Sequence, residues 1–105
     1  MIASTPTPPY YAVIFTSIRT DEDRDYEKIS IRMEELAKKQ EGYLGIESAR
    51  NEIGITISYW KDLDSIKNWK QQTEHLLAQE MGKKYFYASY KIRICLVERD
   101  YMFEK

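Results

Sequence analysis

The segment ITISYWKDLDSIKNWKQQTEH, Ile55 to His75, most constrains what this chain can become, because its hydrophobic period changes from two to 3.6 within a few residues. Ile55, Ile57 and Tyr59 alternate with Thr56, Ser58 and Trp60, as the two faces of a strand require. Asp62 then stands where an N-cap carboxylate accepts from the next turn, and Asp64 favours the positive end of a helix dipole. A helix is predicted from about Leu63, with Ile66, Trp69, Thr73, Leu76 and Leu77 on one sheet-facing stripe. In a continuous helix His75, six residues past Trp69, lies about 120° round from it, at the border of the core. Both tryptophans and the single histidine fall in this segment.

The remaining elements follow in order. Met1 to Pro9 holds all three prolines and is predicted to be a solvated arm, leaving one domain from residue 10 to 105. YYAVIFTSI, from Tyr10, is apolar on both faces at Ala12 to Phe15, the pattern of a central strand covered on both sides. Between about Asp21 and Gln40 the spacing of Tyr26, Ile29, Met33, Leu36 and Ala37 predicts a helix that Thr20 or Asp21 caps and Gly42 stops. Tyr43 to Arg50 and Gly54 to Trp60, joined by Asn51-Glu52-Ile53-Gly54, predict a hairpin. Gly82 is expected to end the second helix, Lys83 to Ser89 to add a short helical turn, and Tyr90 to Tyr101 to form the last strand. The order β-α-β-β-α-β is that of an α+β, ferredoxin-like antiparallel sheet.

Two helices cover one face of such a sheet, yet the strands offer apolar residues to both. A second copy of the chain supplies the missing cover, so a homodimer with the sheets face to face is expected.

Composition removes several function classes. Sixteen Lys and Arg against seventeen Asp and Glu give a net charge of −1 without blocks, so no nucleic-acid partner is expected. No apolar run approaches the ~20 residues of a membrane span. The lone Cys95 cannot form an internal disulfide, and the first residues lack a secretory signal, which suits the cytoplasm. Metal-ligand spacing, GxGxxG, GxxxxGK[ST] and GxSxG are missing. Cys95 reads as a small strand residue, and the nine tyrosines as core and rim packing or as pocket lining. His75 has two readings, an exposed helix histidine or a base or donor at a pocket rim.

SYWKDLDSIKNWKQQTEH, QEMGKKYFYASYKIRICLVERDY and the earlier GYLGIESAR resemble the antibiotic biosynthesis monooxygenase (ABM) family of dimeric α/β barrels over about residues 10 to 101. The resemblance implies a homodimer, with a pocket between helices and sheet in each protomer. It also implies oxygenation of a small aromatic or quinone-like substrate without metal or flavin, or else haem degradation. The alternative is a non-catalytic protein that binds a small hydrophobic ligand in the same pocket. Trp69 matches the family's helix tryptophan and, with His75, is the expected catalytic pair; Ser58, Tyr59, Trp60 and Tyr85 are expected to contact substrate. In the haem-degrading branch the axial histidine falls at about Gln79 here, and the first strand offers Phe15, Thr16 and Ser17 instead of an Asn. No cofactor is therefore expected, with haem disfavoured.

Overall fold

A computed structural model describes residues 1–105. Four strands, β1 (Tyr10–Arg19), β2 (Tyr43–Arg50), β3 (Gly54–Trp60) and β4 (Tyr87–Val97), form one antiparallel sheet in the order β2-β3-β1-β4. Helix α1 (Tyr26–Lys38) follows β1, and helices α2 (Leu63–Gln71) and α3 (Thr73–Met81) follow β3. This is the ferredoxin-like α+β arrangement expected from the element order. No helix is long and apolar enough to cross a membrane.

Register assigns the two faces. Trp60, Tyr11 and Leu96 form one rung of the helical face, Ser58, Val13 and Ile94 the next, then Thr56, Phe15 and Ile92, and finally Gly54, Ser17 and Tyr90. The other face carries Tyr59, Ala12 and Cys95, then Ile57, Ile14 and Arg93. On that face Ala3 N–H donates to Glu47 Oε2 at 2.9 Å, Thr5 Oγ1 lies 2.8 Å from Tyr10 Oη, and Tyr10 also engages Asp100. The first residues and the C-terminal tail are thus tied down beside Tyr10 and Tyr59, whose rings meet edge to face.

The second helix is not continuous. Gln72 is extended, at φ −62° and ψ 133°, and its side chain accepts from His75 N–H at 2.9 Å. A residue that both leaves α2 and caps α3 needs neither Pro nor Gly, which is why the unbroken apolar spacing concealed it. Asp62 caps α2 as expected, through Ser65 N–H at 2.8 Å. Helix α1 starts later than Asp21, because Thr20 is engaged elsewhere: its hydroxyl donates to Tyr85 O and accepts from Glu22 N–H. The residue before it, Asp25, is left-handed at φ 59° and makes no side-chain cap. Gly82 does not stop α3; it is right-handed, and the chain continues through a π-helical turn, Gly82–Phe86, whose wider winding seats Phe86 in the core at 2 % exposure. β4 accordingly begins at Tyr87, opposite Arg19 and across a bulge from the Ile18–Ser89 pair, and ends at Val97.

Gly42 is left-handed at φ 85°, and an added Cβ would overlap Ser65 Oγ. Gly42→Ala should therefore destabilise the fold by about 2 kcal/mol or more, since strain and overlap add. Urea unfolding measures this, and a variant as stable as the parent would contradict the geometry.

Candidate functional site

Trp60 is the one large side chain with no exposure, and the site is built on it. Its indole N–H donates to Ser58 Oγ at 2.9 Å, Tyr43 meets its ring edge-on at 5.7 Å, and Trp69 stacks over it at 6.2 Å and 25°. Trp69 is only partly buried. The His75 imidazole lies flat on its indole, with centroids 3.9 Å apart and planes 10° from parallel. The break at Gln72 makes this contact: an unbroken helix would have turned His75 about 120° away from Trp69.

The same break fixes the imidazole's hydrogen bonding. Nδ1 lies 2.9 Å from Trp69 O, and a carbonyl only accepts, so the network assigns the proton to Nδ1 and leaves Nε2 with the lone pair. Burial pushes the imidazole pKa below its ordinary value, opposed in part by the bond to Trp69 O. At neutral pH the ring is therefore a neutral acceptor at Nε2, the form required of a general base.

The register places an apolar floor beside Trp60, on which the stack is built. Tyr11, Val13 and Phe15 of β1 share the helical face with Leu96, Ile94 and Ile92 of β4, and these last three are exposed at 49, 55 and 48 %. Helices α1 and α2 pack over β2 and β3, so the β4 side of the face stays open. An aromatic wall meeting an open apolar floor is what a flat apolar ligand requires. The floor was missed in the sequence because β4 alternates as any strand does, and alternation does not say that one helix fails to cover the edge.

The six expected site residues separate into three places. Trp69, His75, Trp60 and Ser58 come together; Ser58 and Trp60 lie beneath the stack, the hydroxyl bonded to the indole. Tyr59 is on the opposite sheet face, where its hydroxyl donates to Glu47 Oε1 at 2.5 Å. Burial, then that bond, pushes its pKa far up, and the bond holds the Glu47 carboxyl down. Tyr85 sits in the π-helical turn after α3 with Arg24 4.1 Å above its ring, beside an open hollow of about 560 Å³ lined by Glu80, Met81, Lys83 and Lys84. Neither tyrosine joins the Trp69–His75 site.

Gln79, where the haem-degrading branch would place its axial histidine, donates from Nε2 to Lys70 O at 2.9 Å. An amide so engaged is no haem ligand, and the first strand supplies no Asn, so the residues present do not fit haem in that manner.

Residues 9–81 match the profile described as antibiotic biosynthesis monooxygenase. The chain is 43 % identical over 106 residues to the uncharacterised protein YqjZ of Bacillus subtilis (strain 168), covering 99 % of this chain and 93 % of that one. In structure it is similar to SnoaB, a cofactor-independent oxygenase from Streptomyces nogalater, at a TM-score of 0.76 and 13 % identity, covering 92 % of this chain and 100 % of that one. Rv0793 from Mycobacterium tuberculosis superimposes at a TM-score of 0.77 and 7 % identity, covering 87 % of this chain and 97 % of the other.

His75 is the only histidine, so its titration can be read directly. Its folded pKa lies below the unfolded value, hence the unfolded chain binds more protons and stability rises with pH across the interval between them. The contribution is complete above the unfolded value of about 6.5 and is lost as pH falls towards the folded one. Urea unfolding from pH 7.5 to 5 should show this loss in the parent and little of it in His75→Phe. A His75 ring titrating at or above 6.5 by NMR would contradict the assignment.

Proposed function

Because the chain belongs to the antibiotic biosynthesis monooxygenase family, we propose that it catalyses cofactor-independent oxygenation of a small aromatic or quinone-like molecule bound between the Trp69–His75 stack and the apolar floor. The observation that carries the reading is the neutral His75, with Nδ1 committed to Trp69 O and Nε2 left with its lone pair. SnoaB, similar in fold, is a cofactor-independent oxygenase and lends support at the level of the family alone.

The chemistry asks little of the protein beyond a base, orientation and exclusion of water. For a ring methylene flanked by a carbonyl-conjugated system, His75 Nε2 takes one C–H proton. The resulting carbanion gives an electron to O₂, and the radical pair joins as a carbon-bound peroxide. Cleavage of the O–O bond, with conversion of the remaining C–H carbon to a carbonyl, releases hydroxide, which takes the proton back from His75 and leaves as water. R₂CH₂ and O₂ thus become R₂C=O and H₂O, with O₂ as the sole oxidant. Trp69 and the floor hold the ring system flat, and the indole backing keeps His75 in the orientation that its bond to Trp69 O defines.

Assembly follows from the thin core. Only eleven residues are buried, and on the non-helical face Ile14 and Ile57 are incompletely buried and Ile55 is 40 % exposed. The proposed assembly is a homodimer closing over these residues, with an interface of roughly 2,000 Å² or more. Light scattering at micromolar concentration should give twice the chain mass, and a stable folded monomer would remove the dimer.

Oxygen uptake with a panel of anthrones, hydroquinones and phenols tests the reaction. At least one should give enzyme-dependent consumption of O₂, and Trp69→Phe should lose more turnover than stability, since it keeps an aromatic body but loses area and the N–H. A compound that raises Tm without O₂ uptake would make the protein a binding module. A Trp69→Phe variant that melts early yet turns over unchanged would reduce Trp69 to a core residue.

A further inference from the structure

The last rung of the helical face ends the apolar floor with a cation. Arg50, at the end of β2, extends over Gly54 of β3 to Ser17 of β1, where Nη2 donates to Ser17 Oγ and Nη1 to Ser17 O at 3.5 Å. A Cβ on Gly54 would overlap the guanidinium, so glycine is what lets Arg50 lie flat across the strand. Ser17 is 2 % exposed, so Arg50 is anchored at its inner edge, while the remainder of the residue is exposed. Arg50 makes no ion pair. Arg19, by contrast, is spent on Phe86 O, Glu22 O and the Tyr26 ring 3.4 Å away.

A second polar feature borders the same rung. Tyr87 Oη and Tyr26 Oη are 3.2 Å apart, and one of the two hydroxyl protons satisfies that bond. The other has no acceptor within the protein and is free to donate. Burial, then the bond to Tyr26, pushes the Tyr87 hydroxyl pKa up, and the guanidiniums of Arg50 and Arg19 oppose the rise. Phe15 meets both Tyr87 and Tyr90 edge-on at 5.2 Å, which joins this polar end to the apolar floor.

We propose that the Arg50–Ser17 rung is a subsite for a carboxylate carried on a flat apolar body, with the guanidinium pairing the acid, the Tyr26–Tyr87 hydroxyl pair donating to it, and Phe15, Tyr90 and Ile92 supporting the rings. Arg50 is the only fixed, unpaired cation along the floor, and a guanidinium fork suits a carboxylate in geometry as well as charge. The subsite rests on the reading of the floor as the ligand's bed, but it does not depend on His75. Six residues of strand, roughly 20 Å, separate the Gly54 rung from Trp60. A two-ring acid therefore fills the Arg50 end alone, and only a longer molecule reaches the imidazole.

Calorimetric titration with 2-naphthoate and with neutral 2-naphthalenemethanol is the test. The acid should bind about tenfold or more tightly than the alcohol, the difference expected of a charge-assisted bond. Arg50→Gln should bring the acid to the affinity of the alcohol and leave the alcohol unchanged, and Arg50→Lys should restore part of the gap. Arg50 is exposed and its loss should leave the fold intact; a thermal melt verifies this, and Gly54→Ala, which displaces the guanidinium without removing its charge, should have the effect of Arg50→Gln. If the alcohol binds and the acid binds no better, or the preference survives Arg50→Gln, the anion subsite is wrong and the floor stands. If neither compound binds at millimolar concentration, subsite and floor fall together.

Discussion

The burial of Trp60 is the constraint on which the other features depend. Its ring ends β3, receives Tyr43 from β2 and carries Trp69 from α2, so three elements are positioned by one side chain without exposure. Such a ring buries roughly 150–250 Å², and its removal from a well-packed site costs on the order of 3–5 kcal/mol. In a chain with so few buried residues that is a large share of the ordinary margin of stability. Trp60 therefore sets the height of α2 above the sheet, and α2 in turn sets where Trp69 and His75 stand.

The second determinant is the single extended residue between α2 and α3. Gln72 interrupts the helix, spends its side chain on the N–H of His75, and redirects α3 so that the imidazole returns over Trp69. Position and protonation state then have one origin. The stack covers one side of the ring, the carbonyl of Trp69 orients Nδ1, and the resulting burial keeps the imidazole neutral. Helix α3 itself has no buried residue, so it is held by α1, α2 and the π-helical turn that follows it.

What could be read in the sequence divides along these lines. Period-two alternation placed β2 and β3 with the observed bounds, and the apolar character of β1 on both faces matched its central position. The same alternation already set Tyr59 and Trp60 on opposite faces; expecting both at one ligand contradicted it, and the geometry resolves this by pairing Tyr59 with Glu47. The Gln72 break was illegible because Gln carries no breaker signal and the apolar spacing runs on through Leu76 and Leu77, which are exposed. Tyr85 was misplaced for a related reason: a π-helical turn carries the chain one residue further than an α-turn would, so Phe86 enters the core and Tyr85 turns outward beside Arg24.

The open floor and the thin core are two consequences of one shortage. Three short helices over four strands leave apolar residues without full cover on both faces, at Ile92, Ile94 and Leu96 on one and at Ile14, Ile55 and Ile57 on the other. The two surfaces differ in what surrounds them. On the non-helical face Glu47 is held by Tyr59 and the Ala3 N–H and Tyr10 by Thr5 and Asp100, while the unpaired cations Lys91 and Arg93 are confined to the β4 edge. The middle of that surface, at Ile14, Ile55 and Ile57, demands little beyond apolar contact, which suits the proposed second copy of the chain. The helical face carries the Trp60–Trp69–His75 stack at one end and the unpaired guanidinium of Arg50 at the other. Polar groups left with bonding capacity beside an apolar bed carry a desolvation cost unless a ligand satisfies them, which is why the proposed ligand joins an acidic hydrogen to an anionic group set apart on a flat frame.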